Sequence, residues 1–299
     1  MQKEIKNILV PVNFSEASNN ALQTAIAMCK RHNATLHLVN VLETELLVPM
    51  AGMQVPATGI VAELELSREE NLANMADAIQ RNHGLSCRHY TEAGFIPYVI
   101  CAKAEELDCD LVVTGTAGTK VKKIMRVDNA MAILKNCSIP VLIVPSGRRV
   151  LDFRNILFPV RPVLNALSKY KMVFPIIKKN NARVLLMGAI NEQESEKVKT
   201  IKQMVDSTAV QMKSQNIHVD RKLYFGKGIA REIIATSNRK NTDLLVITAA
   251  LRRGLKQFFV PGFVQKMINE SVIPVLCVKP GFGVEEHAVR SILHNTRLV

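Results

Sequence analysis

Tryptophan is absent from the 299-residue chain, tyrosine occurs only four times, and aromatic residues total 5%. Little material is left for stacking on nucleobases or sugar rings. No apolar run reaches the roughly 18 residues that a membrane helix needs. The opening Met1-Gln2-Lys3-Glu4-Ile5-Lys6-Asn7 also lacks the apolar stretch of a signal peptide. No membrane association is expected. The six cysteines (29, 87, 101, 109, 137 and 277) form no C-x-x-C pair, so reduced thiols in a cytoplasmic protein are expected. Common catalytic signatures are missing too: no G-x-G-x-x-G follows a strand pattern, and neither G-x-x-x-x-G-K-[ST] nor G-x-S-x-G occurs. Cys87-Arg88-His89 is the single close Cys/His grouping and lacks the second ligand pair of a zinc site, so it reads as ordinary strand. Glu105-Glu106 and Asp108 read as a solvated helix end rather than an acid–base pair. No catalytic residue and no metal ligand set is expected.

What is present suits a folded, core-forming protein. Apolar residues make up 48% and charged residues 22%, with 14 glycines and 12 prolines, values that exclude disorder, collagen-like repeats and a small disulfide scaffold. The length allows one large domain or two of ordinary size. Charge is uneven: residues 1–148 carry 14 Lys/Arg against 15 Asp/Glu, and residues 149–299 carry 25 against 11. A basic half can attract nucleic acid, an anionic surface or an acidic partner. The simpler reading is a solvated basic face, because Lys169, Lys171, Lys178, Lys179, Lys197, Lys199 and Lys202 all fall on apparent helices.

The chain repeats itself. At a constant offset of 148, Asn7 meets Asn155, Ile8 meets Ile156, Leu9 meets Leu157, Pro11 meets Pro159, Val12 meets Val160 and Ala34 meets Ala182. Later, DLVVTG from Asp110 faces DLLVIT from Asp243, and IPVLIV from Ile139 faces IPVLCV from Ile273. The offset has by then fallen to 134, so the second copy is 14 residues shorter, with much of the excess assigned to the first copy's connection from Glu43 to about Gly59. Two copies of one domain, 1–148 and 149–299, are expected.

Within the first copy, Ile8–Val12, Thr35–Val41, Ser86–Glu92, Asp110–Thr114 and Pro140–Val144 are apolar or β-branched runs of strand length. Helix-like stretches lie between them. Ser15 can cap one that carries Leu22, Ile26 and Cys29 on a stripe, and a second carries Leu72, Met75, Ala76 and Ile79. A third starts near Pro97 and a fourth near Asp128. This alternation predicts an α/β fold: a parallel sheet covered on both faces, with right-handed crossovers. Ligands of such sheets sit beyond the carboxyl ends of the strands, where the winding reverses. The strand order stays open on these grounds. The connection holding Pro49, Met50, Met53 and Pro56 reads as core cover or as a lid, and Val289, Ile292 and Leu293 in the tail after Gly281 read as a docking helix.

The segments VPVNFSEAS from Val10, DLVVTGTAG from Asp110 and CSIPVLIVP from Cys137 resemble the universal stress protein family, over residues 3–146 and again over 151–280. The resemblance implies two tandem Rossmann-like (HUP-type) domains, each a five-stranded parallel sheet of order 3-2-1-4-5 with helices on both faces. That order would place the end of strand one, Pro11-Val12-Asn13, beside the end of strand four, Thr114 to Gly118. The resemblance also implies pairing of the repeats through their last strands, 140–144 and 274–278, which would hide two sheet edges. Whether two chains then form a homodimer stays open.

ATP-binding members of that family carry G-x-x-G, nine residues, then G-S or G-T, so that backbone and a helix N-terminus can approach phosphates. Repeat one keeps Gly115 and Gly118 but has Asp128-Asn129 in the second place, and Asn13 where relatives have aspartate. The carboxylate of Asp128 would compete for the helix N–H groups. At about 5 Å and an effective dielectric of 20 it would cost a phosphate charge roughly 3 kcal/mol. Lys120, Lys122, Lys123 and Arg126 could offset this. The implied cofactor is ATP in domain one, with Mg²⁺ only in its company. The implied site is Pro11, Val12, Asn13, Val41, Gly115, Thr116, Gly118, Asp128 and Asn129. Repeat two reads Thr248-Ala249-Ala250-Leu251 without either glycine, Arg161-Pro162 at the aspartate position, and Gly262-Phe263 as a trace of the second pair.

Three readings of function stay open. The leading one is a non-catalytic stress-response module, regulatory or interacting with protein partners that the sequence does not name, whose nucleotide site is partly decayed. The others are an ATP-binding sensor or slow ATPase acting through domain one, and a polyanion binder acting through the basic second half. Nucleic acid is not the expected partner.

Overall fold

A computed structural model describes residues 4–43, 57–116, 129–147, 149–163, 165–191, 195–250 and 261–281. The first copy runs β1 (Asn7–Pro11), α1 (Glu16–His32), β2 (Thr35–Leu42), α2 (Ala57–His83), β3 (Cys87–Ala93), α3 (Ile96–Glu106), β4 (Leu111–Thr116), α4 (Asn129–Asn136) and β5 (Val141–Pro145). The second runs β6 (Asn155–Val160), α5 (Lys169–Asn180), β7 (Arg183–Ile190), α6 (Ser195–Ser214), β8 (His218–Phe225), α7 (Ile229–Arg239), β9 (Leu244–Thr248), α8 (Pro261–Glu270) and β10 (Val275–Val278). The fold is α/β, two Rossmann-like domains with helices on both faces of the sheet. Residues 44–56 of the long Glu43–Gly59 connection lie outside the described residues, and the tail's Val289, Ile292 and Leu293 lie outside them too.

All strands join one ten-stranded sheet of order β3-β2-β1-β4-β5-β10-β9-β6-β7-β8. Each half has the order 3-2-1-4-5 and is parallel throughout. The halves meet where β5 and β10 pair antiparallel, Val275 opposite Ile143, Leu276 opposite Leu142 and Cys277 opposite Val141. Every residue of β5 and β10 is buried, as expected for central strands covered on both faces.

Alternation along the strands splits the core in two. Ile8, Val10, Leu36, Leu38, Leu142 and Leu276 face the layer of α1, α2, α5 and α6. Leu9, Val39, Val112, Ile143 and Cys277 face the layer of α3, α4, α7 and α8. Both layers run unbroken from one half into the other. Helix α1 also secures the chain between the domains. Asn20 Nδ2 donates to the Pro145 carbonyl at 2.7 Å, Thr24 Oγ1 donates to that of Val150 at 3.1 Å, and Arg31 donates to that of Leu151 at 2.6 Å.

The repeat extends to single side chains. Asp110, just before β4, accepts the N–H groups of Lys6 and Asn7. Asp243, just before β9, accepts those of Arg154 and Asn155. Each aspartate ties the start of its domain's first strand to the start of its fourth. Cys87 is buried and His89 exposed on the edge strand β3.

Candidate functional site

In each domain the strand order reverses between the first and fourth strands, and their carboxyl ends form the crevice where ligands of this fold class bind. In domain one that crevice holds Pro11, Val12, Asn13, Gly115 and Thr116, with Val41 at the end of the neighbouring β2. Asn129 opens α4. Gly118, Asp128 and the basic residues Lys120, Lys122, Lys123 and Arg126 lie outside the described residues.

The turn from β1 into α1 is closed on itself. Asn13 Oδ1 accepts from the Ser15 N–H at 3.2 Å and from Ser15 Oγ at 2.7 Å. Ser15 Oγ in turn accepts the Ser18 N–H, capping α1. Ser18 Oγ donates to the Pro11 carbonyl and accepts the Asn13 N–H. Phe14, between them, adopts φ of 60°. Both acceptor positions of the Asn13 carbonyl are therefore occupied by the turn. Val12 is held by β2, donating to the Val39 carbonyl at 2.8 Å and accepting Asn40 Nδ2 at 2.6 Å.

Gly115 has a packing reason. A Cβ at this position would lie 2.1 Å from the Ala17 carbonyl oxygen and 3.0 Å from the Ser18 nitrogen. The first turn of α1 rests directly on β4, and any side chain there would push it away. Thr116 follows, buried, its carbonyl accepting the Ser146 N–H at 2.8 Å.

Domain two builds the same crevice differently. By the repeat, Thr248 stands where domain one has Gly115. Its hydroxyl donates to the Ala166 carbonyl at 3.0 Å. The counterpart of α1 begins only at Lys169, after a turn over residues 165–168. A cavity of about 10 Å³ remains, lined by Pro159, Arg161, Val163, Lys169, Thr248 and Phe263 among others. Arg161, in the position of Asn13, lays its guanidinium over the Phe263 ring, 3.6 Å from the ring centre. Its Nε is buried without a hydrogen-bond partner. Lys169 is 2% exposed. Its Nζ donates to the Pro159 carbonyl and sits 4.5 Å from the Phe158 ring centre. Burial pushes the Arg161 pKa down to about 10. Burial, then the neighbouring Arg161, holds Lys169 well below the usual lysine range.

Lys169 corrects the reading of the basic helices as uniformly solvated. The signal lay in the repeat: at the offset of 148, Lys169 falls on Ala21, a fully buried position of α1. Lys178, Lys179, Lys199 and Lys202 are not buried.

The sequence profile of the universal stress protein family matches residues 4–145 and again 152–279. The chain belongs to the universal stress protein family. Among characterised relatives, universal stress protein Sll1654 of Synechocystis is 27% identical over 141 residues, covering 47% of this chain and 85% of the relative. Universal stress protein MJ0531 of Methanocaldococcus jannaschii is 26% identical over 148 residues, covering 48% of this chain and 84% of the relative. Among solved structures, a universal stress protein from Archaeoglobus fulgidus superposes with a TM-score of 0.73 at 17% identity, covering 92% of this chain and 98% of that one. A functionally unknown protein from Pseudomonas aeruginosa superposes with a TM-score of 0.60 at 17% identity, covering 92% and 93%. These superpositions show the tandem fold. They extend over both universal stress protein domains, whereas the two relatives match about half of the chain.

Proposed function

We propose that this tandem universal stress protein is a non-catalytic regulatory or interaction module of the stress response, with a partly decayed nucleotide position in domain one. The observation that carries the reading is the turn at Asn13. Both acceptor positions of its carbonyl oxygen are taken by Ser15, so the polar group that aligns with the family's aspartate serves the protein's own chain. Packing against Ala17 accounts for Gly115 without a phosphate cradle. The described residues of domain one thus fit ATP poorly, and Asp128 in the glycine position adds like charge.

Three features support a cytoplasmic setting and an internal pair of repeats. All six cysteines are free, and among the described residues no helix is long and apolar enough to cross a membrane. The burial of β5 and β10 against each other leaves neither last strand in need of a second chain.

Calorimetric titration of Mg²⁺–ATP into the full chain, beside an Asp128→Gly, Asn129→Ser double variant, tests the reading. Silence from the natural chain is the expected result. Heat from the variant alone would show a cradle intact except for its acidic residue. Micromolar binding by the natural chain would replace this reading with that of a nucleotide sensor.

A further inference from the structure

We propose that the strand-end cavity of domain two is a binding site for a single small anion, a halide held between the guanidinium of Arg161 and the ammonium of Lys169. The inference is independent of the reading of domain one.

The two side chains are short of partners. A lysine ammonium has three protons to donate, and among the described residues Lys169 Nζ meets one acceptor, the Pro159 carbonyl, and one ring face, Phe158. Among the described residues the Arg161 side chain has no hydrogen-bond partner: its Nε is buried and unpaired, and its guanidinium lies over the Phe263 ring. No carboxylate pairs with either cation among the described residues. Buried charges are ordinarily paired or coordinated, because desolvation costs several kcal/mol per ion otherwise. Two neighbouring basic groups facing one cavity with no acid in it suit an anion supplied from solution, whose binding would hold Lys169 in its protonated form.

The cavity sets the size of that anion. About 10 Å³ is space for roughly one water-sized particle, which suits a single monoatomic anion better than a whole phosphate group. Val163 and Phe263 supply apolar wall, which favours a weakly hydrated halide. The surrounding half is strongly basic, 25 Lys/Arg against 11 Asp/Glu over residues 149–299, and such a field raises the local concentration of anions.

The origin of the site follows from one exchange across the fold. Where Gly115 lets the first turn of α1 lie on β4, Thr248 brings a side chain that α5 must avoid. The later start of α5 leaves the space into which Arg161 and Lys169 point.

The direct test is a crystal of the full chain grown in sodium bromide, with anomalous data collected at the bromine edge. A peak within hydrogen-bond reach of both Arg161 and Lys169 is expected. In solution, the melting temperature of the full chain should rise saturably with bromide against isethionate at constant ionic strength, as binding to the folded state requires. The rise should vanish in Lys169→Met and in Arg161→Leu. Lys169→Met removes a buried charge at similar volume, so it should fold at least as well as the natural chain in isethionate. Absence of the peak, or an equal bromide effect in both variants, would overturn the proposal. Tetrahedral density in the cavity from crystals in inorganic phosphate would overturn the size limit and the assignment to a halide.

Discussion

The carboxylate of Asp110 accepts the backbone N–H of Asn7 at 3.1 Å and that of Lys6 at 2.7 Å, and Asp243 repeats the contact on Asn155 and Arg154. One side chain thus sets where the first and fourth strands of a domain begin relative to each other. Replacing Asp110 with alanine strands two partly buried donors, and replacing Asp243 strands one partly buried and one exposed. A loss of about 1–3 kcal/mol is expected for each. Urea denaturation of the single variants checks this, and an effect below about 0.5 kcal/mol in both would show that the contact is incidental.

Two glycines separate packing from ligand roles. Gly115→Ala forces a Cβ to 2.1 Å from the Ala17 carbonyl, so α1 must shift, with an expected cost of about 1–3 kcal/mol. Gly262→Ala places its Cβ in open space in the first turn of α8 and should gain about 0.5–1 kcal/mol from helix propensity. Thermal melts of the pair decide the matter. A harmless alanine at 115 would remove the packing account of that glycine.

Stability should fall on mild acidification through His32. Burial, then Lys179 and Arg31, lowers its pKa from 6.5 to about 4. The unfolded chain therefore takes up this proton first as pH drops, so stability is full above about 6.5 and is lost progressively toward pH 4. At about 1.4 kcal/mol for each tenfold step in affinity, the loss approaches about 3 kcal/mol. His32→Gln should flatten the melting curve's pH dependence between 6.5 and 4. Parallel curves for variant and natural chain would assign the acid sensitivity elsewhere.

The cysteines should differ in reactivity. Burial pushes Cys29, Cys87 and Cys109 up to about 12 and raises Cys277 as well. Cys101 is lowered by its hydrogen bond with Cys137, helped by Lys279 from the second domain, while Cys137 is raised. The thiolate is the reacting form, so iodoacetamide at pH 8 should label Cys101 first and the others only on unfolding. Mass spectrometry of timed digests reads the order, and early labelling of Cys29 or Cys277 would contradict it.

Much of this protein is legible in its sequence. Each strand-length apolar run of the first copy became a strand within a residue or two of its expected ends, and Ser15 caps α1 as its position beside an apolar stripe implies. The internal repeat announced two copies of one unit, down to Asn7 with Asn155 and Asp110 with Asp243. These features are readable because they arise from neighbours in sequence: alternation along a strand, a stripe on a helix, a hydroxyl near three free N–H groups.

Only the tertiary structure decided how the candidate sites are used. That Asn13 spends its oxygen on Ser15, and that Gly115 meets Ala17, depends on where α1 lies against β4. Lys169 looked like one lysine of a solvated face, yet it is buried over Phe158 because its position on α5 faces the sheet, as Ala21 does on α1. Contacts between distant segments carry no local periodicity. Burial of a charge is set by what those segments leave around it, and no stretch of sequence around Lys169 states that by itself.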